Sequence, residues 1–197
     1  MTQTKPIVDI VNVVASASID QKIDLNEITR KFPDAEYHPE QFPGLVFRLK
    51  SPRTATLIFS SGKFVCTGSK SEKSAIDAIK TVVCSLRRAK IKIKNAPAIK
   101  IQNIVASVNL GGGVHLPLAA RSLPRSMYEP EQFPGIIHRM IDPKTVTLIF
   151  VTGKLVCAGA RNEADVHRAV HYLHTYLEER NLMKYQDRPT QILKTVD

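Results

Sequence analysis

The alternation of apolar and polar positions divides the chain into short strands and amphipathic stretches, in an order that occurs twice. In the first half, apolar runs at Val8–Ser18, Leu45–Leu49, Thr54–Phe59 and Lys63–Thr67 predict strands. Asp24–Phe32 predicts a short helix. Ser71–Lys90 places Ala75, Ile76, Ile79, Val82, Val83 and Leu86 at helical spacing, with Ser71 as N-cap. Ser61-Gly62 and Thr152-Gly153 predict hairpin turns between short strands, and Gly111–Gly113 another turn. The second half repeats the order, its long helix running from about Asn162 to Arg180. A basic stretch from Lys90 to Lys100, containing Pro97, is the predicted connector.

The repetition extends to the residues themselves. Ile10–Ser16 (IVNVVAS) matches Ile101–Ser107 (IQNIVAS), and Tyr37–Gly44 (YHPEQFPG) matches Tyr128–Gly135 (YEPEQFPG). Thr56–Phe59 with Gly62-Lys63 matches Thr147–Phe150 with Gly153-Lys154. One offset of 91 positions aligns all three pairs without a gap. Two long copies build a pseudo-two-fold molecule rather than a solenoid, which needs three or more repeats to bury a continuous core. The expected division is residues 1–97, a first repeat with a short N-terminal arm, and 98–197, a second repeat with a C-terminal tail.

The expected fold is α+β: a curved antiparallel sheet of about ten strands with four helices on its convex face. The other face of such a sheet is ordinarily polar. In this chain it is not. Val14, Leu57, Phe59 and Val65, with their counterparts Val105, Leu148, Phe150 and Val156, leave a large apolar patch uncovered. A patch of that kind marks a binding surface.

Composition narrows the partner. The 197 residues carry a net charge of +10, which favours a polyanion, nucleic acid ahead of an anionic membrane surface. The chain contains no apolar run long enough to span a bilayer and no signal-peptide pattern at its start. Cys66, Cys84 and Cys157 form no C-x-x-C pair, so no cysteine-based zinc site is expected. Cys66 and Cys157 occupy equivalent strand positions and read as small apolar residues in a reducing compartment.

Paired Asn-x-Val strands, paired Phe-Pro-Gly segments and paired Leu-Ile-Phe-x-x-Gly-Lys hairpins resemble the TATA-binding protein family over about residues 8–180. The resemblance implies a transcription initiation factor that binds the minor groove of A·T-rich promoter DNA and bends it. No cofactor or metal is implied. Asn12 and Asn103 then donate to groove acceptors, and Phe42, Phe59, Phe133 and Phe150 match the family's inserting phenylalanines. Val14, Val105, Leu57, Leu148, Val65 and Val156 cover the groove floor. Arg48, Lys63, Arg139 and Lys154 meet phosphates at the rim.

The family commonly has a groove-facing threonine in each copy. This chain has Thr67 in the first and Ala158 in the second, which puts strict TATA preference in question. Glu129, Glu131 and Gln132 match the loop that docks the B-type initiation factor, with Gln132 where many relatives carry leucine. His38 stands opposite Glu129. The resemblance also implies assembly with RNA polymerase. An exposed apolar face of this size tends to associate, so a homodimer is a further expected partner when no DNA is bound. Near-symmetric halves and a short N-terminal arm look archaeal, implying cytoplasm with the chromosome, or the nucleus for a eukaryotic source.

Two other classes compete. His167, His171 and His174 have helical spacing for a metal, as in an enzyme, but no Glu completes an H-E-x-x-H motif. A diverged paralogue would keep the saddle and act through protein contacts, with Ala158 as its sign.

Overall fold

A computed structural model of the chain describes residues 4–185. The first repeat contains β1 (Ile7–Ser18), α1 (Leu25–Lys31), β2 (Gly44–Leu49), β3 (Thr54–Phe59), β4 (Lys63–Ser69) and α2 (Glu72–Arg88). The second contains β5 (Ala98–Asn109), β6 (Gly113–Val114), α3 (Leu116–Ser122), β7 (Ser126–Tyr128), β8 (Gly135–Met140), β9 (Thr145–Phe150), β10 (Lys154–Ala160), α4 (Glu163–Glu179) and β11 (Met183–Lys184).

Nine strands form one open antiparallel sheet in the order β2-β3-β4-β1-β5-β10-β9-β8-β7. Among the described residues this agrees with the expected sheet of about ten strands. The Gly111–Gly113 turn runs into β6, which pairs with β11 as a separate two-stranded ribbon. The two repeats join through β1 and β5. Val13 faces Ile104, its own counterpart, while Asn12 faces Val105 and Val14 faces Asn103. The pseudo-dyad therefore passes through the Val13–Ile104 pair.

Period-two alternation sorts each strand. Val13, Ala15 and Ala17 of β1, Ile58 of β3, and Phe64 and Cys66 of β4 are buried beneath the helices. Their counterparts Ile104, Ala106, Val108, Ile149, Leu155 and Cys157 do the same in the second repeat. Helix α2 covers β4 and β1, and α4 covers β10 and β5. Ala75, Ala78, Ile79, Val82, Val83 and Leu86 are the buried side of α2, so Ala78 takes the place expected of Ile76. Both long helices are capped as their sequences suggest: Ser71 Oγ accepts from Ser74 N at 3.1 Å, and Asn162 Oδ1 from Asp165 N at 2.7 Å.

The basic connector is more than a linker. Ile91 and Ile93 are buried in the core, and Arg87 donates to the carbonyls of Ile93 and Asn95. Its lysines alternate outward, and this charge hides the apolar alternation in the sequence.

Candidate nucleic-acid interface

The face opposite the helices is open. Asn12 and Val14 of β1, Val65 and Thr67 of β4, and Leu57 and Phe59 of β3 lie half-buried on it. Asn103, Val105, Val156, Ala158, Leu148 and Phe150 mirror them. Leu57 faces Val65, and Leu148 faces Val156. The band continues outward through Val46 opposite Leu57 and Ile137 opposite Leu148. Val46 and Ile137 were legible from the same alternation, two residues before Arg48 and Arg139, but lie outside the family motifs.

Two bulges set the asparagines. The pairing of β1 with β4 shifts between Val13 and Ala15, and that of β10 with β5 between Ala158 and Ala160. Gly68 and Gly159 sit at these bulges with φ of 100° and 99°, conformations that glycine adopts without strain. Each bulge frees a backbone N–H from the ladder. Gly68 N donates to Asn12 Oδ1 and Gly159 N to Asn103 Oδ1, both at 2.8 Å. Thr67 Oγ1 also donates to Asn12 Oδ1 at 3.1 Å. With each amide oxygen occupied, each Nδ2 is left as a donor on the open face.

The second repeat lacks the Thr67 bond because Ala158 has no hydroxyl. The amide of Asn103 is consequently held by one hydrogen bond where Asn12 has two.

The phenylalanines form a matched pair of clusters. Phe42 and Phe59 meet edge-on with centroids 5.9 Å apart, and Phe133 and Phe150 do so at 5.8 Å. The loops carrying them fold alike: Phe42 N donates to His38 O and Phe133 N to Glu129 O. Each cluster closes over a glycine. A Cβ on Gly44 would lie 2.6 Å from Phe42 Cε1, and one on Gly135 would lie 2.9 Å from both Phe133 Cε1 and the Ile149 carbonyl oxygen. The Phe-Pro-Gly motif thus needs its glycine for ring packing. Phe42 remains 41% exposed and, packed on Phe59, extends the apolar band of the open face.

Cations stand at the edges of this face. Lys63 and Lys154 begin β4 and β10 with exposed side chains, and Arg48 and Arg139 are exposed on β2 and β8. Glu129, Glu131 and Gln132 are exposed in the loop before β8, next to the Phe133 cluster.

The remaining reactive groups lie away from the face. Cys66 and Cys157 are on the helix side, where burial pushes both thiols above the usual range. Cys84 is exposed on α2. His167 and His171 point outward from α4, whereas His174 is buried. His174 Nε2 lies 3.0 Å from Thr4 Oγ1 and 3.2 Å from Glu178 Oε1, and burial lowers its pKa. The helical spacing therefore does not bring the three imidazoles together.

Comparison with known proteins agrees with this arrangement. The sequence model of the family "Transcription factor TFIID (or TATA-binding protein, TBP)" matches residues 7–89 and again 98–180. The chain is 51% identical over 177 residues to a TATA-box-binding protein of Pyrodictium occultum, covering 90% of this chain and 89% of the relative. A TATA-box-binding protein of Sulfurisphaera tokodaii is 48% identical over 180 residues, 91% of each chain. The solved structure of Methanococcus jannaschii TBP superposes with a TM-score of 0.79 at 47% identity, covering 87% of this chain and 98% of that one.

Proposed function

The chain belongs to the TATA-binding protein family, and on that premise we propose that its open face reads the minor groove of A·T-rich promoter DNA as a general transcription initiation factor. The family is one of DNA-binding transcription factors, not enzymes. One observation carries the reading to particular atoms. Asn12 and Asn103 sit beside the pseudo-dyad with their oxygens held by bulge glycines, which leaves each amide Nδ2 without a hydrogen-bond partner among the described residues. The minor groove offers acceptors at every A·T pair, while the guanine amino group adds a donor that obstructs an apolar surface. Two outward donors within a floor of Val14, Val65, Leu57, Val105, Val156 and Leu148 suit the first pattern and not the second.

The two repeats, residues 1–97 and 98–197, each take one half-site. Phe42 and Phe59 at one end, and Phe133 and Phe150 at the other, act as wedges between base steps. Kinking by inserted apolar wedges is the behaviour for which this family is the type example, and it comes to this chain by membership. Arg48, Lys63, Arg139 and Lys154 bind phosphates and make affinity salt-dependent. The loop with Glu129, Glu131 and Gln132 is the docking point for a B-type initiation factor, which then brings in RNA polymerase. Without DNA, the apolar face is covered by a second copy. The protein works alongside the chromosome, in the cytoplasm of an archaeal cell.

The test is binding and bending of an A·T-rich duplex labelled at both ends, with wild type and Phe150→Ala compared. The variant is expected to bend the duplex less and release it faster. Equal affinity and equal bending would remove the wedge from the mechanism.

A further inference from the structure

Positions 91 apart place three positive charges at each end of the sheet: Arg48, Arg53 and Lys70 in the first repeat, and Arg139, Lys144 and Arg161 in the second. Their surroundings differ. Arg139, Lys144 and Arg161 line one hollow of about 520 Å3, together with Gln102 and the bulge glycine Gly159. Asp165, the acidic group of that hollow, is already engaged. Arg168 holds it at 2.7 Å and the Asn162 amide at 2.8 Å, and the Arg168 hydrogen bond keeps its carboxyl below the usual range. Among the described residues, no carboxylate lies within ion-pair distance of Arg139, Lys144 or Arg161.

In the first repeat a carboxylate intervenes. Arg48 Nε donates to Glu36 Oε1 at 3.3 Å, and Arg48 lines a different hollow, of about 170 Å3, with Phe32, Asp34 and Ala35. Glu36 is positioned by backbone bonds to Val46, just as Met127 of β7 is positioned against Ile137. The same pairing therefore carries a carboxylate in the first repeat and a thioether at the matching position of the second.

We propose that Arg139, Lys144 and Arg161 form a phosphodiester-binding cradle, whereas Glu36 weakens its first-repeat equivalent, so that the two ends of the protein grip the DNA backbone unequally. The proposal rests on the DNA-binding reading above. Its physical basis is simple. Glu36 competes with phosphate for Arg48 and also repels the phosphate directly, whereas Asp165 of the second hollow is held by Arg168 and Asn162 and pairs with none of the three cradle cations. Each neutralised phosphate adds about 0.9 to the slope of log affinity against log salt, so unequal grips appear as unequal slopes.

The internal repeat supplies the controls. Affinity for an A·T-rich duplex is measured by fluorescence anisotropy from about 50 to 200 mM salt, the range in which phosphate contacts dominate. Wild type, Arg139→Ala, Arg48→Ala, Lys144→Ala/Arg161→Ala, Arg53→Ala/Lys70→Ala and Glu36→Met are compared, each checked for folding by circular dichroism. Arg139→Ala is expected to flatten the salt slope by about 0.9, and Arg48→Ala by clearly less. Lys144→Ala/Arg161→Ala is expected to lose more affinity than Arg53→Ala/Lys70→Ala. Glu36→Met is expected to bind roughly two- to five-fold tighter, the range for an exposed charge pair. Equal losses at both ends with no gain from Glu36→Met would overturn the proposal. A wild type that showed no preference for A·T-rich over G·C-rich duplex would instead overturn the DNA-binding reading.

Discussion

Glu72 and Glu163 cap each other's helices. Glu72 N donates to Glu163 Oε1 at 3.0 Å, and Glu163 N donates to Glu72 Oε1 at 2.6 Å. These residues are counterparts in the repeat, so the reciprocal bond straddles the pseudo-dyad on the helix side, opposite Asn12 and Asn103. The first N–H groups of a helix have no partner within it, and its N-terminus attracts negative charge. Both effects offset the repulsion between two neighbouring carboxylates.

Removing either carboxylate should therefore loosen the joint between repeats. Glu72→Ala or Glu163→Ala is expected to cost about 1 kcal/mol, as for a lost helix cap. For a protein of this size that is a fall of roughly 2–4 °C in Tm. The double variant Glu72→Gln/Glu163→Gln keeps both acceptor oxygens and is expected to melt close to wild type. Thermal unfolding followed by circular dichroism distinguishes the two cases.

The asparagine pair makes a sharper test of recognition. Asn103→Asp retains the oxygen that accepts from Gly159 N but removes the amide donor and adds a negative charge. The fold should be kept while affinity for A·T-rich DNA falls at least about tenfold, the scale of one lost hydrogen bond with an unpaired partner. Competitive gel shifts on folded protein measure this. An unchanged affinity would remove Asn103 from the interface.

The glycines of the two Phe-Pro-Gly segments differ in what a methyl group would meet. At Gly44 the nearest atoms belong to Phe42 and Phe59, whose rings can turn, whereas at Gly135 they include the Ile149 carbonyl oxygen. Gly135→Ala is expected to destabilise by about 1–3 kcal/mol through overpacking, and Gly44→Ala by less. Both should blunt DNA bending. Denaturant unfolding and end-labelled duplex bending report the two effects separately.

His138 occupies the position that Phe47 holds in the first repeat, and is 97% buried with neither ring nitrogen hydrogen-bonded among the described residues. Burial pulls its pKa below the ordinary 6.5. Well above pH 6.5 the imidazole is neutral in both the folded and the unfolded chain, and its contribution to stability is complete. As pH falls below that value the unfolded chain takes up a proton before the folded one, and stability declines. His138→Phe should flatten this acid limb and stabilise the protein by about 1–3 kcal/mol, by removing unsatisfied polar atoms. Urea unfolding at several pH values between about 5 and 8 measures both. His174, also shifted down by burial, retains its own share of the slope in the variant.

Much of this was legible in the residue order. The 91-residue offset gave the pseudo-dyad, and strand alternation gave the open apolar face, because both are written at the spacing the backbone imposes. Asn12 and Asn103 stood out as polar residues among valines. Their orientation did not, since it depends on bulges that release Gly68 N and Gly159 N, and a bulge is a property of pairing between strands. Ile91 and Ile93 were hidden by the lysines between them.

The sequence by itself determined the duplication, the order of the elements common to both repeats, which face of each strand is apolar, and the family. Those features depend on local periodicity and on motifs in register. Tertiary structure alone decided which repeated positions are truly equivalent. It gave Asn12 two hydrogen bonds and Asn103 one, put Glu36 against Arg48 with only Met127 at the matching place, and joined Glu72 to Glu163. These are contacts between residues far apart in the chain, set by how strands register and helices pack. No local pattern encodes them.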